Sequence, residues 1–173
     1  MYDVLESDVH KNGVNGSRYA EKGYLGKFVC LNEKGKLQAR AMGEHIKHIG
    51  LPIGYVISSP ICRARQTAEI AFNRYDKLDR MLVHRGPFNE SESKRVELVK
   101  NIYLQLPIVA GTNTVISGHG STVVAEMFDD IPNRHDLTVG EGGFFVISRE
   151  AGKLKLEHQF YTFPAFVKGF YKR

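Results

Sequence analysis

The sequence predicts an α/β fold: a three-layer α/β/α sandwich with a mostly parallel central sheet and a C-terminal β-hairpin. Three observations carry this. Short β-branched runs alternate with stretches whose apolar residues recur every three or four positions. Two of those runs end in segments rich in Ser, Gly, Arg and His, as strand ends that face a ligand do. Near the C-terminus, two β-rich runs flank Glu150-Ala151-Gly152-Lys153, a turn sequence suited to a hairpin.

Residues 1–30 are rich in Gly, Asn, Lys and Tyr and read as a long loop, with residues 2–5 as a short strand candidate. Asn32 is an N-cap for a helix reaching about His48, with Leu37, Ala41, Met42, Ile46 and Ile49 as its expected buried face and Gly50 as its stop. Residues 54–58 (Gly-Tyr-Val-Ile-Ser) read as a buried strand. Ser59-Pro60 ends it and a helix follows to Phe72, packed through Ala64, Ala68, Ala71 and Phe72. Residues 81–83 are a strand candidate, residues 92–106 a helix, residues 114–117 a strand and residues 123–128 a further helix. Residues 144–148 and 154–161 are the arms of the hairpin, and residues 160–166 form an aromatic-rich stretch that can pack on the domain or face a partner.

At 173 residues, the chain suits one domain spanning residues 1–173 with a core of ordinary size. Its 42% hydrophobic and 25% charged residues are those of a globular protein. The net charge of +5 fits an anionic partner, but the cations are scattered except for Lys168, Lys172 and Arg173, read as a solvated tail. Basic and aromatic residues do not interleave on one predicted face, which argues against nucleic acid. No apolar run approaches a membrane span, and residues 1–8 are acidic with no apolar stretch behind them, unlike a secretory signal. Cys30 and Cys62 show neither C-x-x-C nor zinc spacing. Neither a metal site nor a disulfide framework is expected, and the reducing cytosol is the default location. The oligomeric state is not legible.

Two segments carry chemistry. Residues 58–69, Ser-Ser-Pro-Ile-Cys-Arg-Ala-Arg-Gln-Thr-Ala-Glu, run from a strand end into a helix. A helix N-terminus presents free N–H groups and the positive end of its dipole, both suited to an oxyanion. Pro60 is tolerated there because its missing N–H would go unpaired in any case. Arg63 in a first turn opposes the dipole, and a bound anion offsets that opposition while accepting the guanidinium's two-pronged hydrogen bond. The plain alternative is a surface arginine. The second segment, Gly118-His119-Gly120, follows the strand at residues 114–117. Its glycines allow close approach to a ligand, and a histidine there can donate to a phosphoryl oxygen and stabilise developing negative charge. The plain alternative is an ordinary loop histidine.

Together these segments resemble the histidine phosphatase superfamily, which includes the cofactor-dependent phosphoglycerate mutases. Residues 31–39 resemble the family's first helix start, and residues 58–69 its Ser-Ser-Pro-x-x-Arg-Ala-x-x-Thr-Ala-Glu signature. Residues 111–119 resemble the strand and loop bearing its second active-site histidine, and residues 140–146 its Gly-Glu turn before a late strand. The resemblance spans residues 31 to about 148 and is closer to small phosphatases than to full-length mutases. It implies that Arg63 and Ser59 hold the transferred phosphoryl group and that His119 stabilises the transition state. A carboxyl group would protonate the leaving oxygen and then activate water. Glu90 stands where family members often place that acid, with Glu92 and Glu141 as alternatives. The implied substrate is a phosphorylated small molecule or a phosphoprotein, with no cofactor, because Arg and two His can neutralise the transferred group without metal.

The family's nucleophile is a histidine in an N-terminal Arg-His-Gly or Arg-His-Ala motif, and no such motif occurs in the sequence. His10 is the nearest stand-in, 21 residues before Leu31, but Val9 and Lys11 replace the expected neighbours. An exposed loop histidine is the simpler meaning of that context. Two explanations stand open: the natural chain extends upstream of Met1, or it has lost its nucleophile and binds phosphate without turnover.

Overall fold

The computed structural model describes residues 30–83, 90–129 and 137–170. The strand candidate at residues 2–5 and His10 lie outside the described residues. The chain divides into two compact units, one containing residues 30–83 and 107–119, the other residues 90–106, 120–129 and 137–170.

The first unit holds α1 (Glu33–His48), β1 (Ile53–Ser58), α2 (Cys62–Phe72), β2 (Lys77–Leu78) and β3 (Asn113–Ser117). The strands form a parallel sheet in the order β2-β1-β3. The anticipated α/β fold with a parallel sheet is therefore present. Val56 and Ile57 of β1 are fully buried, as the unbroken β-branched run required. The expected strand at residues 81–83 is instead a 3-10 turn, Arg80–Leu82. The Asp79 carboxylate accepts from Met81 N at 3.0 Å, curling the chain just after β2 while Leu82 and Val83 are still buried.

Asn32 caps α1 as expected, its side chain accepting from Gly35 N at 2.8 Å. The expected buried face of α1 is corrected. Leu37 is 61% exposed, and the buried positions are Gly35 and Ala39. They line up at four-residue spacing with Gly43, where a β-carbon would stand 2.2 Å from the Ala71 carbonyl oxygen of α2. Close approach of the two helix backbones, not large side chains, selects this face.

Cys30 and Cys62 form a disulfide, which overturns the expectation from their spacing. The pairing is tertiary: the fold brings together residues separated by 32 positions, and no local motif announces it. On chain entropy alone, closing a loop of that length stabilises by roughly 3–4 kcal/mol.

The second unit holds α3 (Glu92–Gln105), β4 (Phe144–Glu150), β5 (Lys153–Phe160) and α4 (Phe163–Phe170). Ser91 caps α3, and β4 and β5 form the anticipated antiparallel hairpin. Its two-residue turn, Ala151-Gly152, has positive φ at both positions, the geometry that matches strand twist. The helix expected at residues 123–128 is only a 3-10 turn, Ala125–Met127, which the extended Val124 and Phe128 confine. The aromatic stretch folds back within its own unit, with Phe166 edge-on to both Phe144 and Phe160. Gly143 is pressed against this region, where a β-carbon would stand 2.2 Å from the Tyr161 carbonyl oxygen.

Gly43→Ala forces α1 away from α2 and is expected to lower stability by about 1–3 kcal/mol in urea unfolding. Leu37→Ala, on the exposed face, is expected to change it by less than about 0.5 kcal/mol. Equal effects would contradict the assignment of the buried face.

Candidate functional site

The site is built by register. Ser58 and Ser117 are paired in the β1–β3 ladder, and Ser59 N extends it with a 2.8 Å bond to Ser117 O. Both strands therefore release the chain at the same level. From β1 it passes through Ser59, Pro60 and Ile61 into α2, and from β3 it passes into Gly118-His119. The buried Ser117 hydroxyl donates to Ala64 O at 2.7 Å and ties the β3 end to the first turn of α2.

This arrangement brings three of the expected residues together. Arg63 Nη2 lies 3.2 Å from His119 Nδ1, and His119 Nε2 lies 3.2 Å from Ser59 Oγ. Arg63 is 6% exposed and Ser59 fully buried, while His119 is half-buried. A guanidinium only donates, so Nδ1 accepts and carries no proton. The imidazole proton then sits on Nε2 and is donated to Ser59 Oγ, which also accepts from Ile61 N at 3.3 Å. Ser59 thus orients His119, a role that sequence reasoning missed because the two residues stand 60 positions apart. No sequence signal beyond their shared place at strand ends could have revealed it.

The electrostatics favour an anion. Asn32 and Ser91 cap α1 and α3, and each helix has a glutamate in its first turn. In contrast, α2 begins at Ile61 with no side-chain cap and no acidic residue in its first turn. Its dipole end and the buried Arg63 charge therefore concentrate positive potential beside the neutral, half-buried His119.

Glu90 is exposed and belongs to the second unit, directly before the Ser91 cap of α3. Glu92 opens that helix and Glu141 lies in the turn before β4, both also exposed. His10 lies outside the described residues. Among the described residues, no group of three His, Cys, Asp or Glu side chains is placed to hold a metal ion. No described helix is long and apolar enough to cross a membrane.

Residues 27–85 match the family model of the histidine phosphatase superfamily (branch 1), a stretch that contains α1, β1, α2 and the whole 58–69 signature. None of the curated proteins matches the sequence. Among solved structures, a phosphoserine phosphatase from Entamoeba histolytica in complex with 3-phosphoglyceric acid is similar, with a TM-score of 0.63 and 15% identity. The similarity covers 79% of this chain and 87% of that one. The protein histidine phosphatase SixA complexed with tungstate gives 0.54 and 22%, covering 76% and 83%. YhfR of Bacillus stearothermophilus gives 0.51 and 20%, covering 73% and 82%. At these identities the structures establish a phosphoglycerate mutase-like fold, and the family match bears out the resemblance carried by the motifs.

Replacing Ser59 with Ala removes the acceptor of the His119 Nε2 proton. In wild type at neutral pH, nitrogen NMR of the His119 ring is expected to show one tautomer, protonated at Nε2. In Ser59→Ala a tautomer mixture is expected, with stability reduced by about 1–2 kcal/mol because Ile61 N also loses its partner. An unchanged ring spectrum would refute this role for Ser59.

Proposed function

We propose that this chain, a member of branch 1 of the histidine phosphatase superfamily, is a metal-independent phosphatase that holds the substrate's phosphoryl group between Arg63 and His119. The observation that carries this reading is the Arg63–His119–Ser59 chain of contacts at the uncapped start of α2. In this reading Arg63 grips two phosphoryl oxygens and the His119 Nε2 proton turns from Ser59 to a third. A histidine imidazole attacks phosphorus while the bond to the leaving oxygen breaks, and a carboxyl group supplies the proton that oxygen needs, roles for which the family resemblance offers His10 and Glu90. Water, deprotonated by that carboxylate, then cleaves the phosphohistidine and releases phosphate. The similar structures include a phosphoserine phosphatase and a protein histidine phosphatase, which supports both a small phosphomonoester and a phosphoprotein as substrate classes.

A second reading is favoured by one specific observation: the sequence contains no Arg-His-Gly or Arg-His-Ala motif. In that reading the chain is a phosphate-binding domain without turnover.

The two are separated by p-nitrophenyl phosphate hydrolysis at mildly acidic pH and vanadate binding by calorimetry. The proteins compared are wild type, Arg63→Ala, His119→Ala and His10→Ala. The phosphatase reading expects turnover in wild type and none in His10→Ala, which still binds vanadate. Arg63→Ala is expected to weaken vanadate binding roughly 100-fold, the loss of a charge-assisted pair of hydrogen bonds. Arg63-dependent vanadate binding without turnover supports the second reading, and no binding at all removes both.

A further inference from the structure

The Cys30–Cys62 bond sits where it can act on the phosphoryl site. Cys62 is the first residue of α2 and the immediate neighbour of Arg63. Cys30 belongs to the strip of chain that leads into α1, and that strip is tied to α2 at a second point, where Leu31 N donates to Gln66 Oε1 at 2.8 Å. Leu31 is buried, and Asn32 caps α1. The first turn of α2 is thus held from the β1 side by Ser59 Oγ bonded to Ile61 N, from β3 by Ser117 bonded to Ala64 O, and from the α1 side by the disulfide. Of these three tethers, only the last can be opened and closed by chemistry. Cys62 is buried and Cys30 half-buried, so Cys30 is the more exposed end of the bond. Among the described residues there are no other cysteines, so the thiols released have only each other as disulfide partners within the chain.

We propose that Cys30 and Cys62 are a redox-modification site that sets the affinity of the neighbouring phosphoryl site. This rests on the reading of Arg63 and His119 as phosphate-binding. A dithiol attacks one sulfur as its thiolate, forming a mixed disulfide and releasing one cysteine thiolate. Its second thiol then displaces the other cysteine, so two electrons and two protons pass to Cys30 and Cys62 and the dithiol leaves as a cyclic disulfide. The reverse exchange, with an oxidised dithiol as acceptor, recloses the bond. When closed, the clamp fixes the turn that aims Arg63. When open, Ser59, Ser117 and Gln66 still hold α2, so the site loosens without being lost. In a reducing compartment the open form prevails, and oxidation tightens phosphate binding.

The test is vanadate and inorganic phosphate binding by calorimetry on the full chain. It uses the oxidised protein, the protein reduced with dithiothreitol, and the Cys30→Ser/Cys62→Ser double variant, with far-UV circular dichroism on each and thiol counting by alkylation and mass spectrometry. Expected are two alkylated cysteines only after reduction, an unchanged dichroism spectrum, and binding about tenfold weaker in the reduced protein. The double variant is expected to bind as weakly as the reduced protein and to ignore dithiothreitol. Equal affinities in both redox states, a response that persists in the double variant, failure of the oxidised dithiol to close the bond, or unfolding on reduction would each overturn the proposal. If Arg63-dependent binding is seen but does not respond to redox, only the redox proposal fails. If the oxidised protein binds neither ligand, the phosphate-site reading fails and takes the redox proposal with it.

Discussion

The in-phase parallel pairing of β1 with β3 is the constraint on which the site depends. Val56, Ile57 and Ser58 stand opposite Val115, Ile116 and Ser117, and the ladder runs on through Ser59 N to Ser117 O. A slip of one residue would shift the strand ends by about 3.3 Å and exchange the faces of every side chain. The 3.2 Å approach of Arg63 to His119 could not survive that shift. The register is secured by burial, since Val56 and Ile57 have no exposed surface, and by Ser117, whose hydroxyl reaches past the sheet to Ala64 O.

Placing a buried arginine in the first turn of a helix sets charge against dipole. The neighbouring histidine does not relieve this electrostatically, because it meets the guanidinium with a neutral, accepting nitrogen. What the histidine gains is a fixed tautomer, with Arg63 at one ring nitrogen and Ser59 at the other. A site assembled this way holds its donors side by side before any ligand arrives, and the His119 Nε2 proton leaves Ser59 only when a ligand oxygen takes its place.

The legible part of the sequence was the part in which one residue states one local fact. Asn32 announces its helix because an N-cap needs only its own three-residue neighbourhood. Arg63 and His119 were legible because each sits at the end of an apolar run, and strand ends are where such folds bind ligands. The helix face of α1 was misread because Gly35, Ala39 and Gly43 contribute almost nothing to a hydrophobic count, although close backbone packing is what they permit. Residues 81–83 have strand-like side chains, yet the single carboxylate of Asp79 diverts them into a turn. The Cys30–Cys62 bond and the Ser59–His119 contact were invisible for one shared reason: each joins positions that only the completed fold brings together.

These long-range contacts converge on α2. At its C-terminal end, Ala71 lies against Gly43 of α1 with no room for a side chain between them. At its N-terminal end, Gln66 holds Leu31 and Cys62 holds Cys30, the residues that lead into the same α1. The two helices are thus joined at both ends, by backbone proximity at one and by hydrogen bond and covalent bond at the other. A helix pair pinned at two points cannot rotate freely about either. The direction in which Arg63 points is therefore set jointly by the sheet, through Ser59 and Ser117, and by α1, through its glycine contact and its two N-terminal ties. Of those influences the sheet's is permanent, because it is a backbone ladder sealed by burial, whereas the influence from α1 passes in part through a bond that thiols can break. A phosphate site built on α2 accordingly has one fixed support and one adjustable support, and the adjustable one ends a single residue away from the guanidinium.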